Sequence, residues 1–209
     1  TEITDKLKTK SSVTMSELLA LKNGLVDDLK NITVVLNTHG AVRGLVRELT
    51  GNDVRKQCAA AGCLCNLALG DSKAGLTLTK AAGSYLVAAL DGLSPELTVP
   101  CTWAIGNMAA SGPHAVETLV AQGAVPRLAE LLASNMEDIR EGAVYAVLHV
   151  VTQLRDELKE HNQPSFEFGP SPICTHIHID ARSFYTGRRL MCCLLCNISI
   201  KCFVVTKRR

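Results

Sequence analysis

A tryptophan and an asparagine stand four residues apart in the apolar run Trp103-Ala104-Ile105-Gly106-Asn107-Met108-Ala109. On a helix that spacing puts both side chains on one face, one turn apart. An indole offers a flat apolar wall, and a carboxamide offers both a donor and an acceptor. Together they can grip passing extended backbone whatever its sequence, which is the chemistry of peptide capture. Residues 12–154 contain no phosphate-cradling glycine loop, no Ser-His-Asp spacing and no paired carboxylates on one face. An enzyme is not expected, nor a cofactor.

The elements that must position this pair recur along the chain. Gly62-Cys63-Leu64-Cys65-Asn66-Leu67-Ala68 repeats the run 41 residues upstream, and Tyr145 to His149 repeats it 42 residues downstream of the Trp. A fainter copy, Leu19 to Asn23, ends 43 residues before Asn66. A second marker keeps the same beat, because Gly40-Ala41-Val42 and Gly123-Ala124-Val125 are each followed three residues on by Leu45 and Leu128. Two markers in one phase with a period of about 40 to 47 residues predict an armadillo or HEAT array, and the spacing favours armadillo. Such units cannot bury their apolar faces alone and stack into a superhelix.

The apolar spacing predicts helices over Met15 to Leu25, with Ser16 as N-cap, and over Asn31 to Leu36. Gly40 should turn the chain into Ala41 to Leu49, with Val42, Leu45, Val46 and Leu49 inward. Val54 to Leu69 follows, capped by Asn52 or Asp53. Two short helices are expected over Leu76 to Ala81 and Ser84 to Leu90. Pro95 and Pro100 argue for a start near Val99, capped by Thr98, because an interior Pro costs about 3 kcal/mol. Val116 to Ala121, Val125 to Ala133 and Ile139 to Leu154 complete the array.

Trp103 to Ala109, followed by Gln122-Gly123-Ala124-Val125-Pro126 and Leu131-Leu132, resembles the repeats of importin alpha, the adaptor that binds nuclear localisation signals. Residues 14 to about 154, including Ala82-Gly83-Ser84-Tyr85-Leu86, also resemble an armadillo protein distantly related to importin alpha. The resemblance implies an all-α, right-handed superhelix of about three repeats plus a leading helix, with an irregular C-terminal tail. It implies that the third helix of each repeat lines a concave face, where Trp walls flank Lys stems of a bound peptide and Asn side chains bond its backbone. On that face Trp103 and Asn107 form one full rung. Asn66 and Asn23 keep the amide, while Gly62 and Leu19 stand in place of the indole. Tyr145 and His149 echo the pair chemically. The family places acids just past the Asn, and Asp27 and Asp71 fall near that place, whereas Ser111 follows Asn107. Protein or peptide cargo, including nuclear localisation signals, is the implied partner, and a cytoplasmic or nuclear location goes with it. The resemblance leaves engagement of importin beta open, because only Lys6, Lys8 and Lys10 precede the array. The alternative reading of the Asn residues is that they satisfy turns and neighbouring backbone within the superhelix.

Charge agrees with a protein partner. The 22 Lys and Arg against 20 Asp and Glu divide into 13 and 15 up to Leu154, and 9 and 5 after it. No dense basic stripe for phosphate occurs, so nucleic acid is not expected as a partner. Cys58, Cys63, Cys65 and Cys101 fall on apolar helix positions, where a free thiol behaves as a small hydrophobe in a reducing compartment. Residue 1 is Thr, and the sequence reads as a fragment. Residues 1–11 are expected to be a disordered arm, 12–154 the array, and 155–209 a Cys-rich basic tail of poor order. Within the tail, His176-Ile177-His178-Ile179-Asp180 matches the start of a hydrolase metal motif without its context, and Cys193 and Cys196 have zinc-ligand spacing. Leu190 to Val205 is a 16-residue apolar stretch, short of the roughly 20 that cross a bilayer, so membrane contact through the tail is the alternative anchoring role.

Overall fold

A computed structural model describes residues 2–9, 11–91 and 94–160. The zinc-spaced cysteines, the His-rich motif and the apolar stretch of the tail lie outside the described residues. Ten helices occur among them: α1 Glu2–Thr9, α2 Met15–Asp27, α3 Lys30–Asn37, α4 Ala41–Leu49, α5 Val54–Leu67, α6 Ser72–Ala88, α7 Pro95–Ala110, α8 Pro113–Ala121, α9 Ala124–Leu131 and α10 Glu137–Glu160. Eight of them stack in two layers, with α3 packed on α2, α4 and α5, and α9 packed on α8 and α10. The inner layer runs α2, α5, α7, α10, each packed on the next, and the outer layer runs α1, α4, α6, α8. This is the all-α, right-handed helical-repeat solenoid expected.

The repeat turns form where glycine supplies a backbone that L side chains resist. Gly40 and Gly123 take φ of 89° and 82° ahead of α4 and α9. Behind each, Ala41 and Ala124 are fully buried, and Leu45 and Leu128 follow them into the core. Gly83 holds the same phase but makes no turn, and the two short helices expected there are the single helix α6. Ala81 and Ala82 favour continuation. The bare side of Gly83 is used for contact instead, since a Cβ would meet Gln122 Oε1 at 2.3 Å.

Within residues 1–11, expected as a disordered arm, Glu2–Thr9 is helical. Leu7 and Thr4 bury against α4 at 1% exposure each. The approach is close enough that a Cβ on Gly44 would lie 2.6 Å from the Leu7 carbonyl oxygen. Lys6 Nζ then reaches Glu17 Oε1 at 2.5 Å, tying α1 to α2. Glu17 also closes a capping box. Its Oε2 accepts from the Thr14 N–H at 2.8 Å, and its own N–H donates to Thr14 Oγ1 at 3.3 Å. Thr14, rather than Ser16, is therefore the N-cap of α2.

Helix α7 starts four residues before the expected Val99. Ser94 occupies the N-cap position and Pro95 the first turn, so Pro100 lies inside the helix. Pro100 has no N–H for the Glu96 carbonyl, and the Cys58 thiol of α5 donates to that oxygen instead, at 3.4 Å. Thr98 sits in the helix, its hydroxyl bonding the Ser94 carbonyl at 3.0 Å. Helix α10 continues past the expected end at Leu154 to Glu160. No helix among the described residues is long and apolar enough to cross a membrane.

Two outcomes follow from the α1 junction. Gly44→Ala places a methyl into the Leu7 backbone, so it should cost about 1–3 kcal/mol despite the better helix propensity of Ala, read as a lower urea midpoint. The Lys6 contact, then the Thr14 bonds, hold Glu17 well below the usual 4.5, at about 2. A carboxyl whose folded pKa is depressed contributes stability above 4.5 and loses it as pH falls toward 2. Glu17→Gln should therefore lower stability at neutral pH and flatten its fall between pH 4.5 and 2, measured by denaturant titration across that window.

Candidate functional site

The inner-layer helices bring Trp103, Asn107, Tyr145 and His149 into one cluster. Trp103 and Asn107 come from adjacent turns of α7, and Tyr145 and His149 from adjacent turns of α10. The Trp103 and Tyr145 rings lie with centroids 4.9 Å apart, tilted by 37°. Tyr145 meets His149 edge-on at 4.5 Å and 75°. These separations fall in the range preferred by aromatic pairs. The close fit depends on Gly106, where a Cβ would come within 2.4 Å of the Tyr145 ring. Trp103 and His149 remain half-buried, whereas Tyr145 is 6% exposed.

The carboxamide of Asn107 lies beneath this wall and is engaged at both ends. Its Nδ2 donates to the Cys65 carbonyl at 3.1 Å and lies 3.3 Å from Cys65 Sγ. Its Oδ1 accepts from the Tyr145 hydroxyl at 2.9 Å. The Cys65 carbonyl stands in the last turn of α5, where the Leu69 N–H bonds the Asn66 carbonyl instead. Asn107 thus supplies a donor at a helix end, where carbonyls lose their helical partners. Burial, and secondarily Cys65, pushes the Tyr145 phenol up, which keeps it protonated as the donor. Burial pushes His149 down, toward the neutral imidazole.

Asn66 repeats the arrangement one unit earlier. It is 3% exposed, and its Nδ2 donates to the Lys22 carbonyl of α2 at 2.8 Å. The amides of Asn66 and Asn107 therefore face the preceding inner helix, in accord with the alternative reading of these residues. Asn23 is exposed near the end of α2, away from that pattern. Asp71 caps α6, accepting from the Ala74 N–H at 2.7 Å. Ser111 bonds the Asn107 and Met108 carbonyls at 3.3 and 2.5 Å.

Sequence reasoning missed Gly106 and Cys65. A bare position one turn from the Trp, facing a Tyr one repeat later, was the available signal for Gly106. The role of Cys65 rests on its backbone oxygen, and a side-chain motif carries no trace of that. Cys63 and Cys101 are fully buried. Desolvation pushes the Cys63 thiol up to about 12 and raises Cys101 as well, so neither is a ready nucleophile. Among the described residues no group of three or more His, Cys, Asp and Glu is placed to hold a metal ion.

No family model matches the chain. Importin subunit alpha-2 of Arabidopsis thaliana is 38% identical over 56 residues, which is 27% of this chain and 10% of that protein. Importin subunit alpha-1b of Oryza sativa subsp. japonica is 39% identical over 56 residues, again 27% of this chain and 10% of the relative. The match thus spans about a tenth of the length of these curated relatives. Among solved structures, an engineered protein superposes with a TM-score of 0.69 at 24% identity, covering 76% of this chain and 66% of its own. A designed armadillo repeat protein in complex with the peptide (KR)4 gives 0.65 at 22% identity, over 79% and 74%. The chain has an armadillo-repeat α-solenoid fold, related to designed armadillo proteins and, more weakly, to importin alpha.

Proposed function

We propose that the chain is a non-enzymatic protein-interaction module that takes an extended peptide across the inner-helix face, past the aromatic wall of Trp103, Tyr145 and His149. The observation that supports this reading most is the half-buried Trp103, which packs on the Tyr145 ring and keeps part of its surface exposed. Stacked helices give such arrays an extended concave surface suited to a strand-like ligand. A solved relative in fold carries a (KR)4 peptide, and another was designed for modular peptide recognition. The finer form of the proposal is an import adaptor for nuclear localisation signals, acting in cytoplasm and nucleus, with importin beta as a further partner. The span 14 to about 154 resembles transmembrane and coiled-coil domain-containing protein 6; the second reading, a membrane-associated armadillo scaffold anchored through its tail, rests on the apolar stretch Leu190 to Val205.

Asn107 enters this proposal through Tyr145. Tyr145 fills one of the two acceptor positions of Oδ1, and Asn107 is 6% exposed, so a peptide amide reaches that oxygen more readily once the tyrosine hydroxyl moves aside, and Tyr145 acts as a latch on the rung.

Trp103 is the only Trp in the chain and reports directly on the wall. Titration with basic nuclear-localisation peptides at two salt concentrations should give a saturable, salt-sensitive fluorescence change. Trp103→Ala should weaken binding of labelled peptide by about tenfold or more, the ~1.4 kcal/mol scale of an interface aromatic, with helical circular dichroism retained. Equal affinity for the variant would remove the wall from the site. Tyr145→Phe leaves Oδ1 of Asn107 buried without its donor, costing about 1–3 kcal/mol in denaturant stability. The same change should tighten peptide binding, because the peptide amide can satisfy that oxygen. Loss of stability with unchanged affinity would mean that the peptide never contacts Asn107.

A further inference from the structure

The inner-helix face changes chemistry upstream of the aromatic wall. An open groove of about 360 Å3 lies between α2, α5 and α7. Its apolar lining comes from Met15, Leu19 and Ala59, and its charged lining from Lys22, Arg55 and Glu96. Leu19 is left 38% exposed, an apolar side chain with room for a partner. Cys58 also borders the groove, with its thiol turned to the Glu96 carbonyl. Two cations thus face one carboxylate across an apolar strip.

Among the described residues, neither cation is held by a short ion pair. The Arg55 side chain is 80% exposed, and its Nε stands 3.9 Å from Asp53 Oδ1, a carboxylate that already caps α5. The Lys22 stem lies flat on Gly62, where a Cβ would meet its Cδ at 2.8 Å. Packing the stem against α5 limits its freedom, so ordering the ammonium on a ligand costs less entropy. A peptide Lys laid over this stretch would meet Lys22 and Arg55, with Glu96 as its counter-charge among the lining groups. The opposite end of the inner face carries Glu137, Asp138 and Glu141 at the start of α10.

We infer that this groove is a subsite for an acidic, apolar peptide segment: a carboxylate side chain pairs with Lys22 and Arg55 while a neighbouring apolar side chain covers Leu19, Met15 and Ala59. The inference rests on the reading that the inner-helix face takes extended peptide. It gives that peptide a polarity, acidic and apolar over α2 and α5.

Fluorescence anisotropy of labelled eight-residue peptides, one alternating Glu and Leu and the other (Lys-Arg)4, tests this on the whole chain. The comparison is with Lys22→Met/Arg55→Met, which removes both charges and keeps apolar stems. The Glu-Leu peptide should bind the unaltered chain in a salt-sensitive way. The double variant should weaken it about five- to tenfold, the scale of two exposed ion pairs, and remove the salt dependence. Binding of (Lys-Arg)4 should not weaken. Equal affinity of the double variant for Glu-Leu would overturn the subsite. Binding of (Lys-Arg)4 alone would overturn it while leaving the peptide reading intact, and binding of neither peptide to a chain shown helical would overturn both.

Discussion

An inner helix of this array has no stable place by itself, and the constraint of packing it against two neighbours governs most other features. The contact is made at short range through small residues. Ala59, Ala60 and Ala61 of α5 are all buried, and Gly106 of α7 admits a Tyr ring directly onto its backbone. Helices that approach so closely leave little room for water, so polar groups in the seam must satisfy one another. Asn66 and Asn107 do this by donating to carbonyls of the preceding inner helix, at Lys22 and Cys65. The same two residues that look like ligand groups in the sequence are thereby part of what holds consecutive repeats in register.

That dual position bears on the proposed recognition of peptide. A carboxamide on an open helix face exchanges water for a ligand, whereas one buried and bonded at both ends binds best by giving up an internal partner. Asn107 Oδ1 bonds a side-chain hydroxyl, while its Nδ2 bonds backbone. The exchangeable end is the one held by Tyr145, because a phenol rotates away more readily than a helix carbonyl moves. On the proposed peptide reading, affinity at this rung is a difference between two similar hydrogen bonds plus the ring contact with Trp103. Ring contact dominates such a sum, since a net hydrogen bond contributes only about 0.5–1.5 kcal/mol.

Much of the fold was legible because its signals are backbone demands. Gly40 and Gly123 need left-handed φ, and the apolar beat of α4, α5 and α9 follows from burial on one side. Departures arose where a residue served a neighbour rather than its own element. Gly83 looks like a turn in sequence but accommodates Gln122, the C-cap of α8. Pro100 looks like a stop, yet the Cys58 thiol compensates the lost donor, and that partner lies 42 residues away in the chain. The polar N-terminal stretch hides Leu7, whose burial on Gly44, together with Thr4, Ile3 and the Lys6 and Glu17 contact, docks a two-turn helix. The site divides the same way. Trp103, Tyr145 and His149 come together as the 42-residue spacing and helical geometry require. The orientation of Asn66 and Asn107 depends on carbonyls that sequence does not advertise.

Two of the bare positions of the inner layer, one in α5 and one in α7, show what sets the character of the face. Gly62 and Gly106 each leave a gap in their own helix that a neighbour's side chain fills, Lys22 at the first and Tyr145 at the second. A column of residues read down the repeats records Gly62 as a missing indole. In space that place is occupied by a lysine stem, and the surface becomes cationic with an apolar shoulder rather than blank. At Gly106 the filler is an aromatic ring, and the surface becomes a wall. The chemistry offered at each rung is therefore decided by pairs of residues about 40 apart, so a degenerate repeat can carry a polarity along its groove that no single repeat motif encodes.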